Sequence, residues 1–184
     1  MSKTKSRLFL LFLFIVCALP LALSYFTYYV WQPQRKMNYG ELLDLRKPPV
    51  ANLVTLDGKP LAAGALGGKW VLMQIDRGSC DEACQHRLYA MRQARLAMGI
   101  KQEKLETLWL IADAGRPTEQ LQRQYQGMWF AHAAAAYEQA FPPPAEGRIF
   151  LLDPNGSLLV RYPEHPDPAR MIRDLARLLD VKRM

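Results

Sequence analysis

No internal repeat, glycine-rich phosphate loop or low-complexity segment occurs in the 184 residues. These absences exclude a solenoid, a P-loop type of phosphate cradle and a compositionally disordered array. Charge is not one-sided enough to mark a nucleic-acid partner. The formal net charge is +7, three of the positive residues precede Gln32 with no acidic residue among them, and the +4 left for the rest is modest. Cysteine and histidine are scarce, with three of each. The most informative gap lies near the start, where Leu8 to Trp31 holds no charged residue at all.

That apolar stretch follows Lys3, Lys5 and Arg7 and closes with Tyr25, Phe26, Tyr28, Tyr29 and Trp31, aromatics of the kind that settle at a membrane interface. It is long enough to span a bilayer. Small residues at Ala22-Leu23-Ser24 also offer a cleavage site, so a signal peptide is the rival reading. The uncleaved anchor is preferred because the apolar stretch runs well past that site. Cys17 follows Val16, which is not small, and so reads as an inert membrane residue rather than a lipid acceptor. Basic residues on the N-terminal flank put that end in the cytoplasm and the remainder outside. In a bacterium the expected placement is a single-pass inner-membrane protein with a periplasmic domain. The expected divisions are a basic tail at 1–7, an anchor at 8–31, a tether at 32–49 and a folded domain at 50–184.

Within the exported part, the stretch that organises the rest is Arg77-Gly78-Ser79-Cys80-Asp81-Glu82-Ala83-Cys84-Gln85-His86. Trp70 to Ile75 before it is short, apolar and bounded by turn residues, which suits a buried strand. After Cys84, Leu88, Met91, Ala94 and Met98 recur at the spacing of one helix face until Gly99. The cysteine pair therefore sits on a strand-to-helix turn. Unpaired N–H groups and the positive end of the helix dipole would favour a thiolate there. Arg77 and Arg87 add positive charge, and Asp81 and Glu82 oppose it. If the helix begins before Cys80, the two α-carbons lie about 6.2 Å apart, within disulfide range. A closed disulfide and an open dithiol are both available.

The remaining order can be read element by element. The tether carries a short helical pattern at Tyr39 to Leu45. Leu53 to Leu61, turning at Asp57-Gly58, reads as a hairpin. Leu108 to Ala112 is a second buried strand, and Pro117-Thr118-Glu119 opens a helix that stops at Gly127. Met128 to Phe130 suits a short strand, and Ala131 to Phe141 is ambiguous, with alanines that favour a helix. Ile149 to Tyr162, turning at Asp153-Pro154-Asn155-Gly156, is the clearest hairpin. Pro168 to Leu179 is an amphipathic helix with Met171, Ile172, Leu175, Leu178 and Leu179 on one side. This order describes an α/β domain, a mixed sheet flanked by helices on the thioredoxin-like plan.

Four segments carry a resemblance to a family. Gly68 to Met73, Gly78-Ser79-Cys80-x-x-x-Cys84, Ile111-Ala112-Asp113-x-x-x-Pro117-Thr118-Glu119 and Phe150 to Gly156 are similar to the Sco/SenC family of membrane-anchored, thioredoxin-like proteins. The resemblance runs from about Leu53 to Leu179. It implies copper binding through Cys80, Cys84 and a distant histidine, and a role in building the copper site of cytochrome c oxidase subunit II. Some members act instead as thiol–disulfide reductases. This chain departs from the pattern twice, with Gln85 where the family places proline and Ala145 where it places the histidine. Nor does a proline directly precede Ile149, where thioredoxins place a cis-proline.

The missing histidine moves weight from copper carriage toward redox chemistry. Two thiolates suit Cu(I), but a third donor would normally come from the fold. His132 is the candidate substitute, weighed against an ordinary histidine with no metal. His86 lies about 200° round the helix from Cys84 and points away. His165 reads as an exposed turn residue, and Met91 and Met98 as core. For Cys80 and Cys84 a purely structural disulfide is the competing account, but so small a loop gains little stability from closure. Glu146 with Arg148 is read as a solvated loop pair. Three functions remain: a copper-site assembly factor, a general periplasmic thiol–disulfide oxidoreductase acting on another thiol protein, and a degenerate partner-binding protein.

Overall fold

A computed structural model describes residues 3–29, 38–48, 53–61, 64–132 and 140–180. The chain divides between Met37 and Asn38 into two units. The first holds helix α1 (Lys3–Tyr29). Its 20-residue stretch Arg7–Phe26 is long and apolar enough to cross a membrane, and large apolar side chains such as Phe9, Phe14 and Leu21 are exposed along it. A helix satisfies its own backbone polar groups, which is what a lipid-facing segment requires. The expected end of the anchor at Trp31 lies outside the described residues.

The second unit is built on one mixed sheet. Its strands are β1 (Glu41–Arg46), β2 (Val54–Thr55), β3 (Trp70–Asp76), β4 (Leu105–Ile111), β5 (Trp129–His132), β6 (Arg148–Leu152) and β7 (Leu158–Arg161), in the order β1-β7-β6-β3-β4-β5-β2. β3 pairs in parallel with β4, and β4 with β5, whereas β6 runs antiparallel to β3. Helices α2 (Glu82–Ala97), α3 (Glu119–Gln124) and α4 (Pro168–Asp180) accompany the sheet, with a 3-10 helix, Gly99–Lys104, between α2 and β4. The thioredoxin-like α/β arrangement expected from the element order is the one observed.

Because successive side chains on a strand face opposite ways, β3 divides its residues between two cores. Val71, Met73 and Ile75 join Leu108, Leu110, Phe150 and Leu152 on one face. Leu72 joins Ala90, Met91 and Ala94 of α2, Ile149 and Leu151 of β6, and Met171 and Leu175 of α4 on the other. The stripes read from the α2 and α4 sequences are thus the faces they bury. Gln74 and Asp76 share the parity of Leu72, and both are buried.

Two sequence readings change. Tyr39 to Leu45, read as helical, overlaps strand β1, whose Glu41 and Leu42 lie opposite Arg161 and Val160 of β7. Its leucines fit either period over so short a span, and pairing with the open edge of β7 decides the matter. The Asp174 carboxylate of α4 fastens the approach, accepting from Tyr39 N at 3.2 Å and Gly40 N at 3.4 Å. The turn at Asp57-Gly58 does fold back, with Thr55 N donating to Lys59 O at 2.8 Å. Its return arm is a single bridge, Val54 to Pro60, and β2 takes β5 as its sheet neighbour. Most of the ambiguous run from Ala131 to Phe141, residues 133–139, lies outside the described residues. Its start, Ala131 and His132, is the end of β5.

Candidate functional site

At the C-terminal end of β3 the chain makes a tight loop before α2. Gly78 permits this loop, because a Cβ there would lie 2.4 Å from the carbonyl carbon of Gly115 in the loop after β4. The two loops are also latched electrostatically. One oxygen of Asp113 accepts from Gly78 N at 2.9 Å and from Gly115 N at 3.0 Å. These bonds, led by that from Gly78, hold the Asp113 carboxyl below the ordinary aspartate range, against a smaller opposing effect of burial. The stabilisation it brings is complete above the unfolded value of about 3.9 and is lost as pH falls through the lowered folded value. Asp113→Asn is therefore expected to weaken the loop at pH 7 and to flatten the acid limb of a thermal-melt series below about pH 4.

Cys80 and Cys84 form a disulfide with α-carbons 5.1 Å apart. The helix does not begin before Cys80, as the longer spacing would require. It begins at Glu82 with Asp81 as its N-cap, and Cys80 stands outside it with φ at 42°, a left-handed conformation uncommon for residues with a side chain. That turn brings the two sulfurs together. Gln85, where the resembled family has proline, donates from Nε2 to Cys80 O at 3.3 Å. Both cysteines pack with Leu88, Trp109, Ile111, Leu121 and Tyr125. Cys80 is 5% exposed and Cys84 fully buried.

The charges expected to favour a thiolate are otherwise engaged. Asp81 Oδ1 accepts from Cys84 N at 2.8 Å, so that helix N–H is already taken by a carboxylate. Arg77 pairs with Glu146 at 2.7 Å. Arg148 pairs with Glu164 at 3.4 Å, not with Glu146, which corrects the loop pair read from the sequence. Arg87 lies buried against Asp76, 2.5 Å between Nη2 and Oδ2, and also donates to Glu164 O at 3.4 Å. Between that ion pair and the disulfide stands Gln74, whose Nε2 is 2.9 Å from Asp76 Oδ2 and 3.3 Å from both Cys84 O and Cys84 Sγ. Sequence reading passed over this network. Its signal was two polar residues of the same parity, Gln74 and Asp76, in an otherwise apolar strand.

His132 ends β5 opposite Ile111, with Nδ1 3.2 Å from Asp113 O. It is not gathered with the cysteines: among the described residues no three His, Cys, Asp or Glu side chains cluster as a metal site. Ala145 packs, partly buried, against the core that holds Val71, Met73 and Ile75, next to Glu146, which bonds to Arg77 beside the cysteine loop. His86 and His165 are exposed. Two cysteine sulfurs without a gathered third donor do not fit a complete three-ligand copper centre.

Residues 70–182 match the family model described as transmembrane-like, thioredoxin-like, C-terminal domain. The chain belongs to that family. A sequence search among curated proteins finds no match. Among solved structures, apo Sco1 from Thermus thermophilus is similar with a TM-score of 0.62 at 16% identity, covering 77% of this chain and 96% of that one. Copper-bound yeast Sco1 follows the fold with a TM-score of 0.56 at 13% identity, covering 79% and 94%. The thioredoxin domain of a thiol–disulfide oxidoreductase from Bacteroides vulgatus has a TM-score of 0.53 at 14% identity, covering 74% and 100%. At such identities the likeness is one of fold. Sco proteins are thus structural neighbours of this family member, as the four sequence segments implied.

Proposed function

We propose that this chain is a membrane-anchored thiol–disulfide exchange protein, with Cys80 and Cys84 as its reacting residues and the cysteines of an exported partner as substrate. The observation that carries the reading is a disulfide at the end of the central strand β3, with Cys80 on the loop side of the α2 start. A partner thiolate attacks Cys80 Sγ, the Cys80–Cys84 bond breaks, and its electron pair leaves on Cys84 Sγ. A second partner thiolate then attacks the partner sulfur of the mixed disulfide, forms the partner's disulfide and releases the Cys80 thiolate. The same steps reversed make the chain a reductant. In the Sco-like role, the partner thiols are those of a copper site such as that of cytochrome c oxidase subunit II, kept in the redox state that accepts the metal. Copper itself is assigned no step, because Cys80, Cys84 and His132 do not form a complete site.

The accompanying placement is an anchor at 8–31 in a bacterial inner membrane, a short N-terminal tail in the cytoplasm and the sheet-bearing unit, which begins at Asn38, in the periplasm. The test is equilibration of the full chain, in detergent and in a Cys17→Ala background, with glutathione buffers, followed by acid quench, alkylation and mass spectrometry. Two thiols are expected to appear together as the buffer becomes reducing. A pair that stays closed in excess dithiothreitol is a structural disulfide and ends the proposal. If position 145 faces the cysteines as the Sco resemblance implies, rather than the core against which Ala145 packs, Cu(I) titration of the reduced chain is expected to be weaker than for its Ala145→His variant by about tenfold, or about 1.4 kcal/mol. Equal affinities, abolished together by His132→Ala, would instead make His132 the third ligand.

A further inference from the structure

Gln74 is an uncommon neighbour for a disulfide. It is fully buried on the α2-facing side of β3, a face it shares with buried Asp76 and otherwise apolar residues. A buried amide is costly unless bonded. The orientation of this one is determined by chemistry: Asp76 carboxylate accepts and cannot donate, so the group 2.9 Å from its Oδ2 is the Gln74 NH2. One N–H is thereby spent on Asp76. The other is left to Cys84, whose O and Sγ both lie 3.3 Å away. Asp76 is held in turn by buried Arg87 at 2.5 Å, so the amide cannot turn without breaking a bond to a paired carboxylate.

We infer that Gln74 is the hydrogen-bond donor that stabilises the Cys84 thiolate when the disulfide opens, with Asp76 and Arg87 as positioning residues. This deepens, and rests on, the exchange reading above. A disulfide sulfur is a weak acceptor, and in the closed state the free N–H is shared with Cys84 O. When a thiolate attacks Cys80 Sγ, the bonding pair moves to Cys84 Sγ and full negative charge arises beside that N–H. A charge-assisted bond is about twice as strong as a neutral one. The donor therefore favours the open state and makes Cys84 a better leaving group. The helix start does not supply this donor, since Asp81 already takes Cys84 N. Among the described residues, the charged and titratable groups near Cys84 include Cys80, which becomes a thiol when the bond opens, Asp76 on β3, Arg87 on α2, Asp81 at its cap and Tyr125 beyond α3.

The test compares the full Cys17→Ala chain with its Gln74→Met variant, which keeps the length of the side chain and removes the donor. In glutathione buffers, the dithiol–disulfide equilibrium constant is expected to move about tenfold toward the disulfide, about 30 mV. A shift of less than threefold overturns the inference. A parent disulfide that fails to open at all overturns the exchange reading with it, whereas normal exchange with no difference between the two chains overturns the inference alone. If the variant does not fold, the parent decides. In the reduced protein, the side-chain amide resonances of Gln74 should shift with pH along the same curve as the 13Cβ resonance of Cys84. Amide resonances that ignore the Cys84 titration also overturn it, and a merely structural glutamine would give that result.

Discussion

Cys80→Ser should abolish disulfide exchange, lowering the rate with a model dithiol substrate by at least about a thousandfold, because a serine hydroxyl does not ionise to a comparable nucleophile near neutral pH. The fold should survive, since the disulfide closes only a small loop and Cys84 keeps its bond from Gln74. Cys84→Ser should behave differently. It leaves Cys80 on the loop side of the helix, able to join a partner sulfur with no internal thiolate to displace it. A glutathione adduct on Cys80, seen by mass spectrometry under oxidising conditions, is the expected product. Equal exchange rates for Cys80→Ser and the parent would remove Cys80 from its assigned role.

Arg87→Leu should destabilise the domain by about 3–5 kcal/mol, the range expected when one partner of a buried ion pair is removed and the other stays behind unpaired. The side chains of Arg87 and Asp76 are only 5% and 11% exposed, so solvent does little to screen Asp76 once the guanidinium has gone. Urea denaturation at pH 7 measures the loss. Joining Asp76→Leu to Arg87→Leu should restore a large part of it, because replacement of both buried charges by apolar groups is often close to neutral. The rescue should stop short of complete, since Gln74 then loses the carboxylate that holds its amide. If the single variant loses under 1 kcal/mol, water reaches the pair and the network is not the closed unit described above.

Gln74 and Asp76 also mark the limit of sequence reading. Their alternation with Val71, Met73 and Ile75 was visible, yet parity alone does not tell which face a helix will cover or whether a cysteine on that helix will meet them. In β1 the leucines at positions 42, 43 and 45 matched a helical spacing, and the open edge of β7 drew them into the sheet. For β2 the turn chemistry at Asp57-Gly58 was legible, but its true neighbour, β5, is far along the chain. His132 shows the same division: as a residue it is a plausible ligand, and only the sheet register places it at the strand end beside Asp113 O.

Local order along the chain sets the apolar length of α1, the buried strand β3, the α2 and α4 stripes, the β6–β7 hairpin and the spacing of Cys80 and Cys84. Each follows from short-range periodicity or turn chemistry, which acts within a few residues. Tertiary structure decided which edges pair, where the helix starts relative to Cys80, and which charges neutralise one another. It alone put Arg87 on Asp76 and Gln74 on Cys84. Those contacts join positions on different elements, and their strength comes from the exclusion of water that only the packed fold provides.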